Sequence, residues 1–393
     1  MITKPTLEIA DIFNLYEEGY VQKHGLKGAA LKVYKDIQHC RTSALGGHLE
    51  ECSDGCGYTR NAYNSCRNRH CPKCQGTKTA NWILKHKKEV LPVPYFHCVF
   101  TIPDNYLMPV IIANKRKVYD LLFKCSSETL IELAHDPKWL GAEIGLIAVL
   151  HTWTQRLLIH PHVHCIVPGG GFDSDGNWVS VRNPKFFIRV EVLSKMFRGK
   201  FIALLKKLHE KDELTFFESD KHLKDPDQFK RFCDTLYKID WVSYAKPTFL
   251  NPESVIKYLG SYTHKIAISN YRLVEIKDDT VFFNYRDSKI KETKVTSLKA
   301  LDFIHMFLSH ILPYRFIKMR SYGLLSNRKK KDNLLKARKL LNVVATPTET
   351  AKKLSWQEVF IELIGKDFSI CPQCKIGKMV KKRKLLPSCG RSP

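Results

Sequence analysis

Apolar residues recur along this chain with two different periods. Ile9, Ile12, Phe13 and Tyr16 fall at helical spacing and predict an N-terminal packing helix. Lys78–Val90 reads as a second helix, and Pro92 and Pro94 after it mark a linker. Beyond the prolines the period shortens. His97–Ile102 and Val163–Val167 are rich in β-branched and aromatic residues and predict strands. Asp173–Asn177 is a turn leading into an alternating strand, Trp178–Val181, and Leu273–Ile276 and Val281–Tyr285 flank Lys277–Thr280 as a hairpin. Asp302–Leu312 predicts a helix stopped by Pro313. Hairpins with helices between them predict an α+β chain on an antiparallel sheet, not a doubly wound parallel one. No solenoid repeat is visible.

With 393 residues, 44% hydrophobic and 11% aromatic, the chain has material for packed cores and for two or three domains. No apolar run approaches the ~20 residues of a membrane span, and Met1–Ala10 lacks an export signal. The expectation is a cytoplasmic protein with no membrane partner. Charge sharpens this. Lys and Arg number 64 against 39 Asp and Glu, a formal +25 concentrated at Arg328–Lys339 and Lys378–Lys384. Such an excess predicts a nucleic-acid partner and binding that weakens as salt rises.

Thirteen cysteines in a chain without an export signal point to metal rather than disulfides. Cys40, Cys52, Cys56, Cys66, Cys71 and Cys74 lie close together, and Cys371 and Cys374 form a distant pair. Cys52-x-x-x-Cys56-Gly57 and Cys71-Pro72-Lys73-Cys74 each place two thiolates on a tight turn, so they are the expected quartet of one zinc-ribbon-like site. Cys66, His70, Cys40 and His48 supply either a second site or a replacement ligand. Cys371 and Cys374 look like half a ribbon, followed only by Cys389. Either a ligand comes from elsewhere or that site does not form. Arg60, Arg67 and Arg69 beside the cysteines are candidate DNA contacts, although exposed arginines are common on zinc ribbons.

His162 and His164 flank Val163 on a strand, so both imidazoles leave the same face while Val163 enters the core. They make half of a divalent-metal site. Surface histidine pairs give the same pattern. Asn251-Pro252-Glu253 is a helix start, and the helix over Ser254–His264 carries Tyr258 and Tyr262 one turn apart on one face. Tyrosine is a poor nucleophile at its free pKa near 10 and requires help for phosphoryl chemistry. A metal on the histidines would provide it.

Five segments, SCRNRHCPKCQ, FHCVFTIP, LHTWTQRLLIHPHVHCIVPGGG, YLGSYTHKIAISNYRL and FIHMFLSHILPYRFIKMRSYGLLSN, occur in the order of a known family. On them the chain resembles the HUH single-strand, two-tyrosine transposases of insertion sequence IS91. The resemblance spans about Leu31 to Asn327. It implies a zinc-binding module over residues 1–90 and a catalytic domain over 91–327 with a central antiparallel sheet and flanking helices. A basic tail carrying the partial Cys pair, 328–393, follows. It also implies that His162 and His164 bind Mg2+ or Mn2+ and that Tyr258 and Tyr262 attack single-stranded DNA. Gln155 is the preferred third metal ligand, with His151 and His264 as rivals. Lys257 and Lys265 beside the tyrosines, with Arg67 and Arg69, are the expected DNA contacts. Ser261 stands where a basic residue is expected, and the first knuckle is one residue longer than usual.

The expected chemistry is metal-assisted nicking and rejoining of single strands at element ends through a 5′-phosphotyrosine. No Gly-x-x-x-x-Gly-Lys-Ser/Thr loop is present, so strand separation would fall to a host helicase. Three other readings share parts of this pattern. One is a rolling-circle replication initiator or relaxase, a second a decayed zinc-ribbon DNA-binding protein without catalysis, a third a hydrolytic metalloenzyme on the His pair.

Overall fold

The computed structural model describes residues 5–87, 89–185, 187–248, 258, 260, 266–287, 290–343, 358, 361, 365 and 367–388. Three short helices open the chain: α1 (Ile9–Leu15), α2 (Glu17–His24) and α3 (Gly28–His39). Ile9, Ile12 and Phe13 are fully buried, as their spacing requires. Phe13 stacks on Tyr34 of α3 with ring centroids 4.2 Å apart, and the Tyr34 hydroxyl donates to the Phe13 carbonyl at 2.6 Å. Burial of rings of this size is worth roughly 2–3 kcal/mol each. A hairpin follows, β1 (Gly47–Cys52) and β2 (Thr59–Tyr63), and then helix α4 (Gln75–Lys87).

The centre of the molecule is a five-stranded sheet. Its strands are β3 (Tyr95–Thr101), β4 (Gly145–Trp153), β5 (Ile159–Pro168), β8 (Ser243–Pro247) and β12 (Met319–Gly323), in the order β12-β4-β5-β3-β8 with every pairing antiparallel. The small hairpin β6 (Gly170–Phe172) and β7 (Trp178–Ser180) branches off. Alternation decides the two faces. Phe96, Cys98, Phe100, Leu146, Ala148, Leu150, Val163, Cys165 and Val167 enter the main core. The helices α5 (Asp104–Ala113), α6 (Lys115–His135), α7 (Val190–Glu210) and α8 (Pro226–Lys238) cover that face. Residues between these positions point the other way, and among them are His97, His151, His162 and His164. Helix α8 shows how locally such elements are specified: Asp225 accepts from the Gln228 amide at 2.9 Å, and Pro226 follows at the first helical position.

The expected hairpin appears as β9 (Leu273–Lys277) and β10 (Thr280–Arg286), extended by β11 (Thr293–Lys299) and followed by α9 (Ala300–Ser309). The N-terminal helices do not stand alone. They share one core with Val281, Phe283, Phe303 and Phe307, and Phe13 meets Phe307 edge to face at 5.5 Å. Pro92 and Pro94 do not mark a free linker either, because Leu91 before them and Val93 between them are buried and the Gly169 amide donates to the Pro94 carbonyl at 2.7 Å.

After α10 (Lys330–Leu340) the chain returns to its beginning. Strand β13 (Met379–Leu385) pairs antiparallel with β1, giving a three-stranded sheet β13-β1-β2. Part of the expected basic tail is thus an ordered strand of the N-terminal module. Among the described residues no helix is long and apolar enough to cross a membrane.

Candidate functional site

Strands β4 and β5 place His151 directly opposite His162, one register step from His164. The three imidazoles each offer a nitrogen within 4.8 Å of the others. His151 and His164 are buried, and Trp153 stacks on His151 with centroids 4.8 Å apart. The second nitrogen of two rings is already engaged. Nδ1–H of His162 donates to the His160 carbonyl at 2.7 Å, and Nδ1 of His164 lies 2.8 Å from Nε2 of His97. This outer bonding leaves Nε2 of both rings facing inward, as ligating histidines are usually held. The donor set therefore fits a divalent cation. Among the described residues no carboxylate joins the three rings.

Gln155, the preferred third ligand, is exposed in the turn after β4, where its backbone carbonyl accepts from Arg272. The position opposite His162 belongs to His151. The reason is register: β4 ends at Trp153, and a residue two places farther on leaves the sheet.

His97 is the residue that the sequence did not single out. Its Nδ1 lies 2.8 Å from the Tyr258 hydroxyl while its Nε2 contacts His164, so one imidazole joins tyrosine and metal ligand. It is 5% exposed, and burial pulls its pKa down to about 4, which keeps the ring neutral. A histidine inside an apolar strand reads as core, and its partners come from two other segments. The signal was present only as a polar residue on the face opposite Phe96 and Cys98.

Tyr258 packs against the hydrophobic cluster that includes Trp82 of α4, Leu91, Val93, Tyr95 and Ile166. Two residues on, Gly260 is pressed against the same helix: a Cβ there would meet the Ile83 side chain at 2.5 Å. A cleft of about 450 Å³ opens next to it, lined by Gln75, Thr79, Trp153, Gln155, Gly260 and Arg272 among others. Tyr262, Lys257, Lys265 and His264 lie outside the described residues, as does the expected helix start at Asn251.

The cysteines sort differently from their order in sequence. Cys71 and Cys74 join Cys40 and Cys66, not Cys52 and Cys56. Cys40 and Cys66 lie 3.6 and 3.7 Å from Cys74. Cys52 and Cys56 instead meet Cys371 and Cys374. The expected quartet fails because β1 and β2 carry the first knuckle away from α4, whereas the end of α3 brings Cys40 back to it. Cys74 is held far below the ordinary thiol range, chiefly by the Cys40 thiol and then by Cys66 and Cys71, and Cys40 itself is drawn down to about 7. Cys66 and Cys71 are pushed up instead, chiefly by the Cys40 thiol, so the four thiols give up protons unequally. Four sulfurs this close form a candidate cation site, and tetrahedral thiolate coordination suits zinc.

His48 is not in either cluster: its Nε2 lies 3.0 Å from Glu50. His70 is half-buried near Arg69 and His310, and desolvation lowers its pKa to about 3. Of the arginines, Arg60 is committed to Glu50 at 2.6 Å and Arg69 donates to the Phe316 carbonyl at 2.8 Å, while Arg67 is exposed.

Comparisons with known proteins agree with this layout. Residues 12–102 match the family described as "Transposase zinc-binding domain" and residues 145–332 the family described as "Putative transposase". The matched regions hold the four-thiol cluster and the three-histidine sheet, so the class is a zinc-domain transposase. The chain is 45% identical over 377 residues to "Putative transposase y4qJ" of Sinorhizobium fredii (strain NBRC 101917 / NGR234), covering 95% of this chain and 94% of that one. It is 28% identical over 344 residues to "Transposase for insertion sequence element IS801" of Pseudomonas savastanoi pv. phaseolicola, covering 86% and 79%. No solved structure matches significantly. The chain belongs to the IS91-type transposase family.

Proposed function

We propose that this protein nicks and rejoins single-stranded DNA at the ends of an insertion sequence, with Tyr258 as a nucleophile and Tyr262 as its companion. The observation that carries this reading is the chain of contacts from Tyr258 through His97 to His164. It couples a nucleophile to a metal ligand by two hydrogen bonds and has no use in a protein that only binds DNA.

His151, His162 and His164 would hold a divalent cation, which supplies polarisation of the scissile phosphate. Of the two ions expected, Mn2+ suits an all-imidazole set better than Mg2+, which prefers oxygen. With Nε2 of His164 committed inward, its Nδ1 carries the proton and donates to Nε2 of His97. His97 then carries its own proton on Nδ1 and donates to the tyrosine oxygen. Two neutral rings in series thus aim a donor at an oxygen that must bear negative charge to attack. Tyr258 Oη forms the new bond to phosphorus as the bond to the 3′ oxygen breaks. The phenol loses its proton and the departing oxygen gains one, leaving a 5′-phosphotyrosine and a 3′-hydroxyl. Attack by another 3′-hydroxyl reverses the step and joins strands. The ester conserves bond energy, so joining needs no nucleotide, and unwinding falls to a host helicase.

The zinc module serves this site by position. Cys40, Cys66, Cys71 and Cys74 would hold zinc at the root of α4, and α4 carries Trp82 and Ile83 against Tyr258 and Gly260. The test mixes protein, Mn2+ and single strands from the element's flanks and looks for a covalent adduct on a denaturing gel. The adduct is expected to vanish with chelator and to be lost or greatly reduced in Tyr258→Phe. An adduct that survives in Tyr258→Phe/Tyr262→Phe would overturn the nucleophile assignment.

A further inference from the structure

We propose that Cys52, Cys56, Cys371 and Cys374 form a second zinc site, built from two distant parts of the chain, which fastens the basic strand β13 to the N-terminal hairpin as a platform for DNA phosphates. The metal half of this proposal is independent of the catalytic reading. The platform half rests on the transposase reading.

The geometry is that of a metal site. Cys52 Sγ lies 3.5 Å from Cys374 Sγ and Cys56 Sγ lies 3.6 Å from Cys371 Sγ, with all four ligand atoms within 4.8 Å of one another. Zinc–sulfur bonds of about 2.3 Å set tetrahedral edges of about 3.8 Å, whereas a disulfide requires about 2.05 Å. The backbone around the thiols is shaped to receive them. The Gly377 amide donates to Cys374 Sγ at 3.4 Å, and the Cys371 amide donates to the Gly377 carbonyl at 2.7 Å. A Cβ at Gly377 would stand 2.6 Å from Cys52 Sγ and 2.6 Å from Asp54 Cβ, so only glycine lets the two knuckles close. Ser53 locks them further: its amide donates to the Lys378 carbonyl at 2.8 Å and its Oγ accepts from the Lys378 amide at 2.8 Å.

Backbone pairing and a few polar contacts hold this sheet together, without a hydrophobic core. No residue of β1, β2 or β13 belongs to a hydrophobic cluster among the described residues, and β13 is exposed along its middle five positions. Those positions include Lys381, Lys382, Arg383 and Lys384, which repel one another and disfavour a fixed strand. A small sheet without a core needs a metal to fold. Once fixed, the four cations stand in a row on an edge strand. Only Lys382 is turned to a carboxylate, Glu51 at 3.0 Å, in the described ion pairs. A row of cations on one extended strand matches the spacing of a phosphate backbone better than it serves solubility.

The experiment counts metal by inductively coupled plasma mass spectrometry on the full chain purified without added metal. Two zinc ions per chain are expected, falling to one in Cys371→Ser/Cys374→Ser and to one in Cys71→Ser/Cys74→Ser. A single zinc in the wild type, two retained in Cys371→Ser/Cys374→Ser, or iron in place of zinc would each overturn the site. A folding defect is separated by Co2+ substitution of the intact chain, where two tetrahedral thiolate sites give twice the absorbance per chain of one. For the platform, Lys381→Ala/Arg383→Ala keeps both zinc ions and is expected to lower the salt slope of single-strand binding by about 1.4. An unchanged slope with both zinc ions present would remove the platform and leave the metal site standing.

Discussion

The Tyr258 hydroxyl bonds the His97 imidazole, and the worth of that contact is measurable. His97→Ala leaves the cluster of His151, His162 and His164 in place, so single-strand binding and the proposed Mn2+ binding should persist. Adduct formation should slow by about 10²-fold, the usual scale for a lost proton-handling or charge-stabilising partner. The readout is the rate of covalent product under saturating DNA. A rate equal to that of the wild type would make His97 a packing residue. His162 and His164 were legible from sequence because alternation on a strand is a local rule. His97 and His151 were not, because each acquires meaning only from a strand paired with β5, and pairing is set by the whole sheet.

At the scale of elements, α4 links the Cys40, Cys66, Cys71 and Cys74 cluster to Tyr258. Cys74 ends the knuckle, Gln75 begins the helix, and Ile83 on it touches Gly260. Gly260→Val places methyl groups where Ile83 already lies, an overpacking that costs about 1–3 kcal/mol and pushes Tyr258 off His97. Adduct formation should fall without loss of zinc, and Ile83→Ala in the same chain should restore part of it. Failure of that rescue would mean that Gly260 matters for another reason. Sequence reading found strands β3, β5 and β7, the β9–β10 hairpin, the N-terminal helix, α4 and the helix before Pro313, but not β4, β8 or β12 of the central sheet. It could not assign the cysteines, since knuckle halves are chemically interchangeable and only the path of the chain decides which two meet. It read Lys381–Lys384 as tail because charge repulsion is local while the pairing partner, β1, lies far away in sequence.

For the molecule as a whole, two desolvated histidines, His310 and the neighbouring His70, are expected to limit stability towards acid. His310 accepts no charge in its pocket. Its Nε2 donates to the Leu157 carbonyl at 2.9 Å, and burial lowers its pKa to about 4. His70 beside it stands at about 3 for the same first reason. In the unfolded chain both titrate near 6.5. Above that pH neither state binds extra protons. Below it the unfolded chain takes up protons that the native one refuses, so stability falls from about pH 6.5 towards pH 4, by up to roughly 3 kcal/mol per histidine. Urea midpoints at pH 7 and pH 5 check this, and His310→Gln should flatten the difference while lowering the pH 7 midpoint. No flattening would place the acid sensitivity elsewhere.

The thiols of Cys56 and Cys371 are separated by 315 positions. A ribosome adding about 5–20 residues per second needs roughly 15–60 s to travel that far. For most of that interval Cys52 and Cys56 wait with their partners unmade, while Cys40, Cys66, Cys71 and Cys74 have all been synthesised. The N-terminal sheet is therefore among the last parts of the chain to close, after the three histidines and Tyr258 have been synthesised, and its closure reports that translation has passed Cys374.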